Sequence, residues 1–514
     1  MLGSARKRAK RREELNAEVQ VSKRSQVKYF SFYANHSSFI RIIFKKEFYN
    51  SFNEVLYIGD ANISDLQRYS RIARYWGRKV YEATEIIFSE IVRDVKEKIV
   101  LDPFGGAGCI ILEALRRGAR GIYIDINPYA YLIARVTTEW FNTEKLLRKA
   151  EVVFSRKRLA YRGSNGSIKY IERDKLYTIT VNGVRKKVKY YEWRDDECWA
   201  VTIDGKKVRA SDFTGGEPYY SPPYYMFWYP WGEPFDKKRN YDWLHEFFTN
   251  RNLIILTNIW QDIRPLKTVS RKDTREHRAM ALAFLSILYM ASKMARPRAG
   301  SWGVNSYWVP RLHVEYNPYD LLRRRLNKLL RLRPTLPHPV KTTGSIYGLS
   351  KVLRGYLDVA ILHGDSKEIL KYIPPGSIDY IVTDPPHTDE IQYLELSFFM
   401  NAWLKADPYS WMLGEVVVNR RQRKDFNSYI EMLVSTYKLA YDVLKPHGKM
   451  LLIYHEENQQ KLEEMKRAVE KAGFSLEEEV KGLMKYQRNI GYRNIARGRQ
   501  FRILVCSKKF KSSR

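Results

Sequence analysis

Two apolar runs in this chain end on Asp-Pro, and a fold must place both at the mouths of strands. Lys98-Ile99-Val100-Leu101 runs into Asp102-Pro103-Phe104-Gly105-Gly106-Ala107-Gly108, and Ile378 to Val382 runs through Thr383 into Asp384-Pro385-Pro386-His387. Short continuous apolar runs bounded by turn residues are the pattern of strands buried on both faces. Cys109 to Arg117 has helical spacing with Gly118 as a stop, and Gly121-Ile122-Tyr123-Ile124-Asp125 is the next strand. The alternation resumes at Val359 to Asp365, Ser377 to Pro386, Lys449 to Tyr454 and Phe501 to Lys508, with Ser428 to Leu444 helical among them. This predicts one twisted α/β sheet whose halves are separated in sequence, with both Asp-Pro motifs at carboxyl strand ends, where such sheets bind ligands.

The separating stretch has a different periodicity. From about 155 to 235 strict alternation takes over, as in Tyr177-Thr178-Ile179-Thr180-Val181, then Asn182-Gly183, then Val184 to Trp193; Asp204-Gly205 marks a second hairpin. Helices are expected from Tyr241 to Ile263, from Arg275 to Met294 and from Pro318 to Leu332, the last carrying Arg323, Arg324, Arg325 and Lys328 beside a leucine stripe. The expected organisation is a basic arm at 1–28, a cofactor half at 29–154, an inserted β module at 155–235, a helical and basic target-recognition region at 236–345, and a target half at 346–514. The arm is either a solvated tail or a nucleic-acid-binding segment, and the basic helix either contacts phosphates or presents a solvated face.

Charge narrows the partner. Among 514 residues, 90 Lys and Arg face 57 Asp and Glu, a net charge of +33 that favours a polyanion such as DNA or RNA. Cys109, Cys198 and Cys506 lie far apart without His neighbours at ligand spacing, so neither a disulfide framework nor a metal site is expected, and a reducing cytoplasm suits them. The first residues lack the apolar core of a signal peptide, and Ala279 to Met294 is too short to span a bilayer, so no membrane role is expected.

The motifs themselves point to methyl transfer. The loop Phe104 to Gly108 lacks the Gly-x-Gly-x-x-Gly spacing of dinucleotide sites and suits S-adenosylmethionine, which has no pyrophosphate. Asp102, Phe104, Gly105, Gly106 and Gly108 form that expected cofactor cradle, and Asp125 is placed to accept hydrogen bonds from ribose hydroxyls. Asp365 either accepts a bond from the cofactor's adenine amine or caps the helix that follows it. Arg78 and Lys79, in Tyr75-Trp76-Gly77-Arg78-Lys79, either clamp the methionine carboxylate or serve packing and surface charge. On the target side, Asp384 and the Pro385 carbonyl can accept both hydrogens of an exocyclic amine. Pro385 and Pro386 fix an extended backbone, and His387 supplies a planar group for stacking on a flipped base. Ser221-Pro222-Pro223-Tyr224 spells a similar motif without a preceding strand and is expected to be a loop.

These residues resemble the amino-methyltransferases that modify DNA at adenine N6 or cytosine N4, and most closely the adenine-specific DNA methylases containing a zinc ribbon. The likeness is carried by Trp76 to Lys79; by Asp102 to Gly108 with Asp125-Ile126-Asn127-Pro128; by Phe247-Phe248-Thr249-Asn250-Arg251-Asn252-Leu253; and by Thr383 to Pro386 followed by Gln392-Tyr393-Leu394-Glu395-Leu396-Ser397-Phe398-Phe399. Leu444-Lys445-Pro446-His447-Gly448 and the strand Phe501 to Cys506 extend it. The resemblance implies a Rossmann-like S-adenosylmethionine-dependent methyltransferase sheet with a β-rich and helical insertion, acting on DNA, with adenine preferred over cytosine. Two residue patterns depart from that family: the ribbon cysteines are missing, and His387 stands where Tyr, Phe or Trp is usual. An RNA base methyltransferase of the transfer-RNA guanine type and a catalytically inactive nucleic-acid-binding homologue are the alternatives.

Overall fold

The computed structural model describes residues 55–57, 73–76, 81–139, 141–213, 215–235, 240–263, 274–297, 300–301, 307–331, 336, 339–389, 391–454, 456, 458–484 and 499–509. The expected basic arm, with Arg78 and Lys79, lies outside them.

Among the described residues nine strands build the central sheet: β1 (Val55–Tyr57), β2 (Ile99–Asp102), β3 (Arg120–Asp125), β4 (Thr342–Thr343), β5 (Val359–His363), β6 (Ile378–Thr383), β7 (Leu444–Tyr454), β8 (Phe474–Met484) and β9 (Arg499–Lys508). Their spatial order is β1-β8-β9-β7-β6-β2-β3-β5-β4. All neighbours pair in parallel except β9, which runs antiparallel to β7 and to β8. The expected α/β sheet with separated halves is therefore present, and β2 from one half lies directly beside β6 from the other.

Alternation along the strands divides the core into two layers. Val359 and Ile361 of β5 face a cluster that includes Val100, Tyr123 and Val382, while Ala360 and Leu362 face one that includes Leu101, Ile122 and Ile381. Helices α1 (Cys109–Arg116) and α2 (Pro128–Thr138) cover the first face. Their start signals are local: Gly108 takes a left-handed φ of 81° before α1, and Asn127 caps α2 by accepting from the Tyr129 N–H at 3.0 Å, with Pro128 in the first turn.

The insertion leaves α2 and returns at β4. Its hairpin of Thr178–Val181 with Val184–Arg194 turns through Asn182 and Gly183, both at positive φ (51° and 79°), as a two-residue primed turn requires. Val184–Arg194 then pairs with Glu197–Thr202 and, from far along the chain, with Leu312–Tyr316. Helix α3 (Asn250–Ile263) packs against Arg158–Arg162 and Glu217–Pro218, strands of a separate small sheet; residues expected to begin it at Tyr241 instead form a bridge at Trp243 and a short 3-10 turn at Leu244–Phe247. The helix expected over Arg275 to Met294 is broken into α4 (Arg275–Leu285) and a short turn at Leu288–Ala291, where Ser286 bonds back to the Leu282 carbonyl. Helix α5 (Pro318–Arg331) buries Leu321, Leu322, Leu326 and Leu329. On the second sheet face lie α6 (Phe426–Val443) and α7 (Gln459–Lys471), each capped by an acidic or amide side chain. Among the described residues no helix is long and apolar enough to cross a membrane.

Candidate active site

Because β2, β3, β5 and β6 are parallel, their carboxyl ends open on one edge, and a cleft of about 670 Å³, counting its open mouth, lies there. Phe104, Gly106, Asp125, Asp365, Asp384 and Pro386 all line it. The two Asp-Pro motifs, nearly three hundred residues apart, thus border a single space.

The loop after β2 is held by its neighbours. Gly106 N–H donates to Asp125 Oδ2 (2.7 Å) and Asn127 N–H donates to Asp125 Oδ1 (2.8 Å), so the carboxylate is fixed at the cleft wall by backbone donors on both of its oxygens. The other loop residues are placed differently from expectation. Asp102 is fully buried and does not line the cleft; its Oδ1 accepts from the Thr383 hydroxyl at 2.6 Å and from Phe104 N–H at 3.1 Å, which ties β2 to β6. Gly105 is needed for packing, since a Cβ there would fall 2.2 Å from the Tyr123 ring. Gly108, likewise off the cleft, starts α1, and its φ of 81° is one that side chains disfavour.

Asp365 caps the turn that follows it, as one reading of the sequence expects, its Oδ1 accepting from Lys367 N–H (2.8 Å), and stands at the cleft wall. On the target side, Asp384 and Pro386 reach the cleft, whereas Pro385 is buried and His387 is not among the lining residues. His387 Nε2 instead lies 3.2 Å from Asp384 Oδ1, and the Pro386 carbonyl accepts from the Tyr429 hydroxyl at 2.8 Å.

Sequence reasoning missed the rest of the wall. Tyr75 and Tyr393 line it with rings stacked at 5.7 Å and 24°, and Asn127, Ser366, Gly414, Glu415, Val416 and Thr436 are also part of it. Burial, then the nearby Asp125, holds the Tyr75 hydroxyl well above the usual phenol range. The segment around Gly414 closes over the strand ends: a Cβ on Gly414 would come 2.7 Å from Ile126 and 3.1 Å from Asp365 Oδ2. Lys424 fixes that segment by donating to the carbonyls of Met412 (2.6 Å) and Glu415 (2.7 Å).

Behind the cleft, Glu395 is buried with Tyr229 and Asn419 donating to its Oε1, the latter at 2.6 Å. Burial pushes its carboxyl up to about 8 and pulls the Lys424 ammonium down to about 8. A carboxyl raised from about 4.5 when folded favours the protonated state, so its stabilisation is complete below about pH 4.5 and is lost as pH rises through about 8. Glu395→Gln should therefore be more stable than wild type above pH 8, by an amount on the order of a few kcal/mol, and the difference, read from urea midpoints across the pH range, should vanish near pH 4.5. A difference independent of pH would show that Glu395 is ionised in the folded state.

The basic residues of α5 divide. Arg325 donates to the Ser286 carbonyl at 3.3 Å, filling the acceptor exposed by the break after α4, and the Arg323 guanidinium lies 5.0 Å from the Phe154 ring centre. Arg323, Arg324 and Lys328 are all exposed, and Arg325 alone of the four is half-buried. Ser221 to Tyr224 is an irregular loop, with Tyr224 turned outward against His245.

No protein-family model matches the chain, and no curated protein matches it. Among solved structures, it is similar to a protein of Thermus thermophilus described provisionally as a DNA modification methylase, with 16% identity over 29% of this chain and 54% of that one and a TM-score of 0.19. The selenomethionine derivative of that protein gives 14% identity, 29% and 53% coverage, and a TM-score of 0.17. The chain thus spans about half the length of the structures it matches, and the cleft geometry stands independently of them.

Proposed function

We propose that this chain is an S-adenosylmethionine-dependent methyltransferase acting on an exocyclic amine of a DNA base, with adenine N6 as the preferred target. One observation carries the reading: the glycine loop with Asp125, and Asp384 with Pro386, border the same cleft. The acceptor set fits the cofactor. Asp125 is a carboxylate suited to ribose hydroxyls, Asp365 Oδ2 is not used by its cap, and the positive end of α1 favours the methionine carboxylate. When bound, the cofactor supplies a methyl group on a cationic sulfur. The chain's own task is then positioning: Asp384, which reaches the cleft, accepts an amine hydrogen, turns the nitrogen lone pair out of the ring and holds the proton shed after transfer, whereas the buried Pro385, expected to accept the second hydrogen, does not line the cleft. The net charge of +33 and the exposed Arg324 and Lys328 support a nucleic-acid substrate, and the adenine preference comes from the family resemblance of the sequence segments.

Binding of S-adenosylmethionine, measured by titration calorimetry, tests the cofactor half. Asp365→Ala should weaken it roughly 10- to 100-fold by removing a charged acceptor, while the lost cap costs only about 1 kcal/mol of stability. Wild-type protein that binds no S-adenosylmethionine would overturn the reading. The contact of His387 with Asp384 favours a second reading, a nucleic-acid-binding protein without turnover, which predicts salt-sensitive binding and no methyl transfer.

A further inference from the structure

We infer that the target base stacks on Tyr393, and that His387 is not its platform; the inference rests on the methyl-transfer reading above. A base whose amine is accepted by Asp384 must lay its ring within the cleft that Asp384 borders. Three aromatic side chains line that cleft: Phe104, Tyr75 and Tyr393. Phe104 belongs to the cofactor loop. Tyr75 is buried, and besides that burial the nearby Asp125 carboxylate raises its hydroxyl, which associates it with the Asp125 wall. Tyr393 follows the Asp384 motif along the chain, opens a short helix (Tyr393–Leu396), and is partly exposed.

Its ring is preorganised from two directions. One face stacks on Tyr75 at 5.7 Å and 24°, and the backbone behind it is anchored where Leu394 N–H donates to Glu415 Oε1 at 3.0 Å. His387, by contrast, is absent from the lining and sits 3.2 Å from Asp384 Oδ1. Beyond it the chain turns sharply at Thr388, which is buried at a φ of 26° and whose carbonyl accepts from Val418 N–H at 2.8 Å. A ring held beside Asp384 orients that carboxylate; it does not present a face to the base. The aromatic surface expected at the fourth motif position is thereby supplied from further along the chain.

The experiment measures kcat and KM for methyl transfer to genomic DNA fragments, with S-adenosylmethionine affinity measured separately. Tyr393→Leu should lower kcat/KM roughly 5- to 150-fold, the range for loss of one base-aromatic stack, with cofactor affinity changed far less. Tyr393→Phe, which keeps the ring, should lose much less than Tyr393→Leu, and His387→Leu should also lose less than Tyr393→Leu. Wild-type transfer with Tyr393→Leu equal to wild type, or with His387→Leu the more damaging, overturns this inference and leaves the functional reading standing. An equal loss of cofactor affinity in Tyr393→Leu assigns the residue to the cofactor wall and also overturns it. Wild-type protein that transfers no methyl group overturns the functional reading and this inference together.

Discussion

Asp384→Ala lowers the rate constant for methyl transfer about 100- to 1,000-fold, the cost of removing a preorganised polar group from a reacting centre, while S-adenosylmethionine affinity is retained. The separation of effects follows from the layout. Asp384 lines the cleft at the mouth of β6, but the glycine loop is organised by Asp125, which accepts from Gly106 and Asn127, and by Asp102, which accepts from Phe104 and Thr383, and none of these bonds involves Asp384. Asp384→Asn should also be strongly impaired, since its amide brings a donor toward an amine that needs acceptors. The kinetic pattern expected is a fall in kcat with little change in cofactor binding. Loss of cofactor binding of the same size would show that Asp384 is instead part of the cofactor wall.

The second large effect concerns the insertion. Arg251 is buried, donates to both oxygens of Glu315 (2.8 and 2.9 Å), and its guanidinium lies 3.7 Å from the Tyr191 ring centre. Glu315 also accepts from Trp193 Nε1 at 3.0 Å and the Tyr177 hydroxyl at 3.3 Å. This network joins α3 to two strands, Val184–Arg194 and Leu312–Tyr316, and to the 3-10 turn that ends at Tyr177, and Asn252 adds bonds to the carbonyls of Ala291 and Tyr316. Arg251→Ala strands a buried carboxylate and should destabilise the insertion by about 3–5 kcal/mol, read as a lowered urea midpoint by Trp fluorescence. Replacing Arg251 and Glu315 together by apolar residues should recover part of that loss. A single variant as stable as wild type would mean that water reaches Glu315.

The same segment shows what the sequence could and could not express. Thr249-Asn250-Arg251-Asn252 stands out as a motif, yet its polar residues act as buried ties and not as a site. Strands β2, β3, β5 and β6 were legible because continuous apolar runs bounded by Asp, Gly and Pro have few other solutions. That both motifs stand at carboxyl strand ends was expected from the sequence, while the direct pairing of β2 with β6 is seen only in the structure. The segment from Met412 to Val416 was not legible: its place over the strand ends depends on Lys424 bonding to two carbonyls, which leaves no periodicity. Tyr75 and Tyr393 look like core aromatics until the fold stacks them in the cleft. Asp102 and Gly105 were read from the sequence as parts of a cofactor cradle; that Asp102 also bonds to Thr383 of β6 and that Gly105 packs against Tyr123 are ties that sequence spacing does not reveal. Arg325 was grouped with its charged neighbours, but the break after Ser286 gives it an acceptor inside the protein.

Incubating the purified chain with labelled S-adenosylmethionine and, separately, genomic DNA and total RNA, then digesting to nucleosides, tests the central claim most directly. The account predicts label in the DNA, on the exocyclic amine of adenine, and its disappearance in Asp384→Ala. Label in RNA alone, label on a ring carbon, or no transfer by a wild-type protein that binds both cofactor and DNA would contradict it.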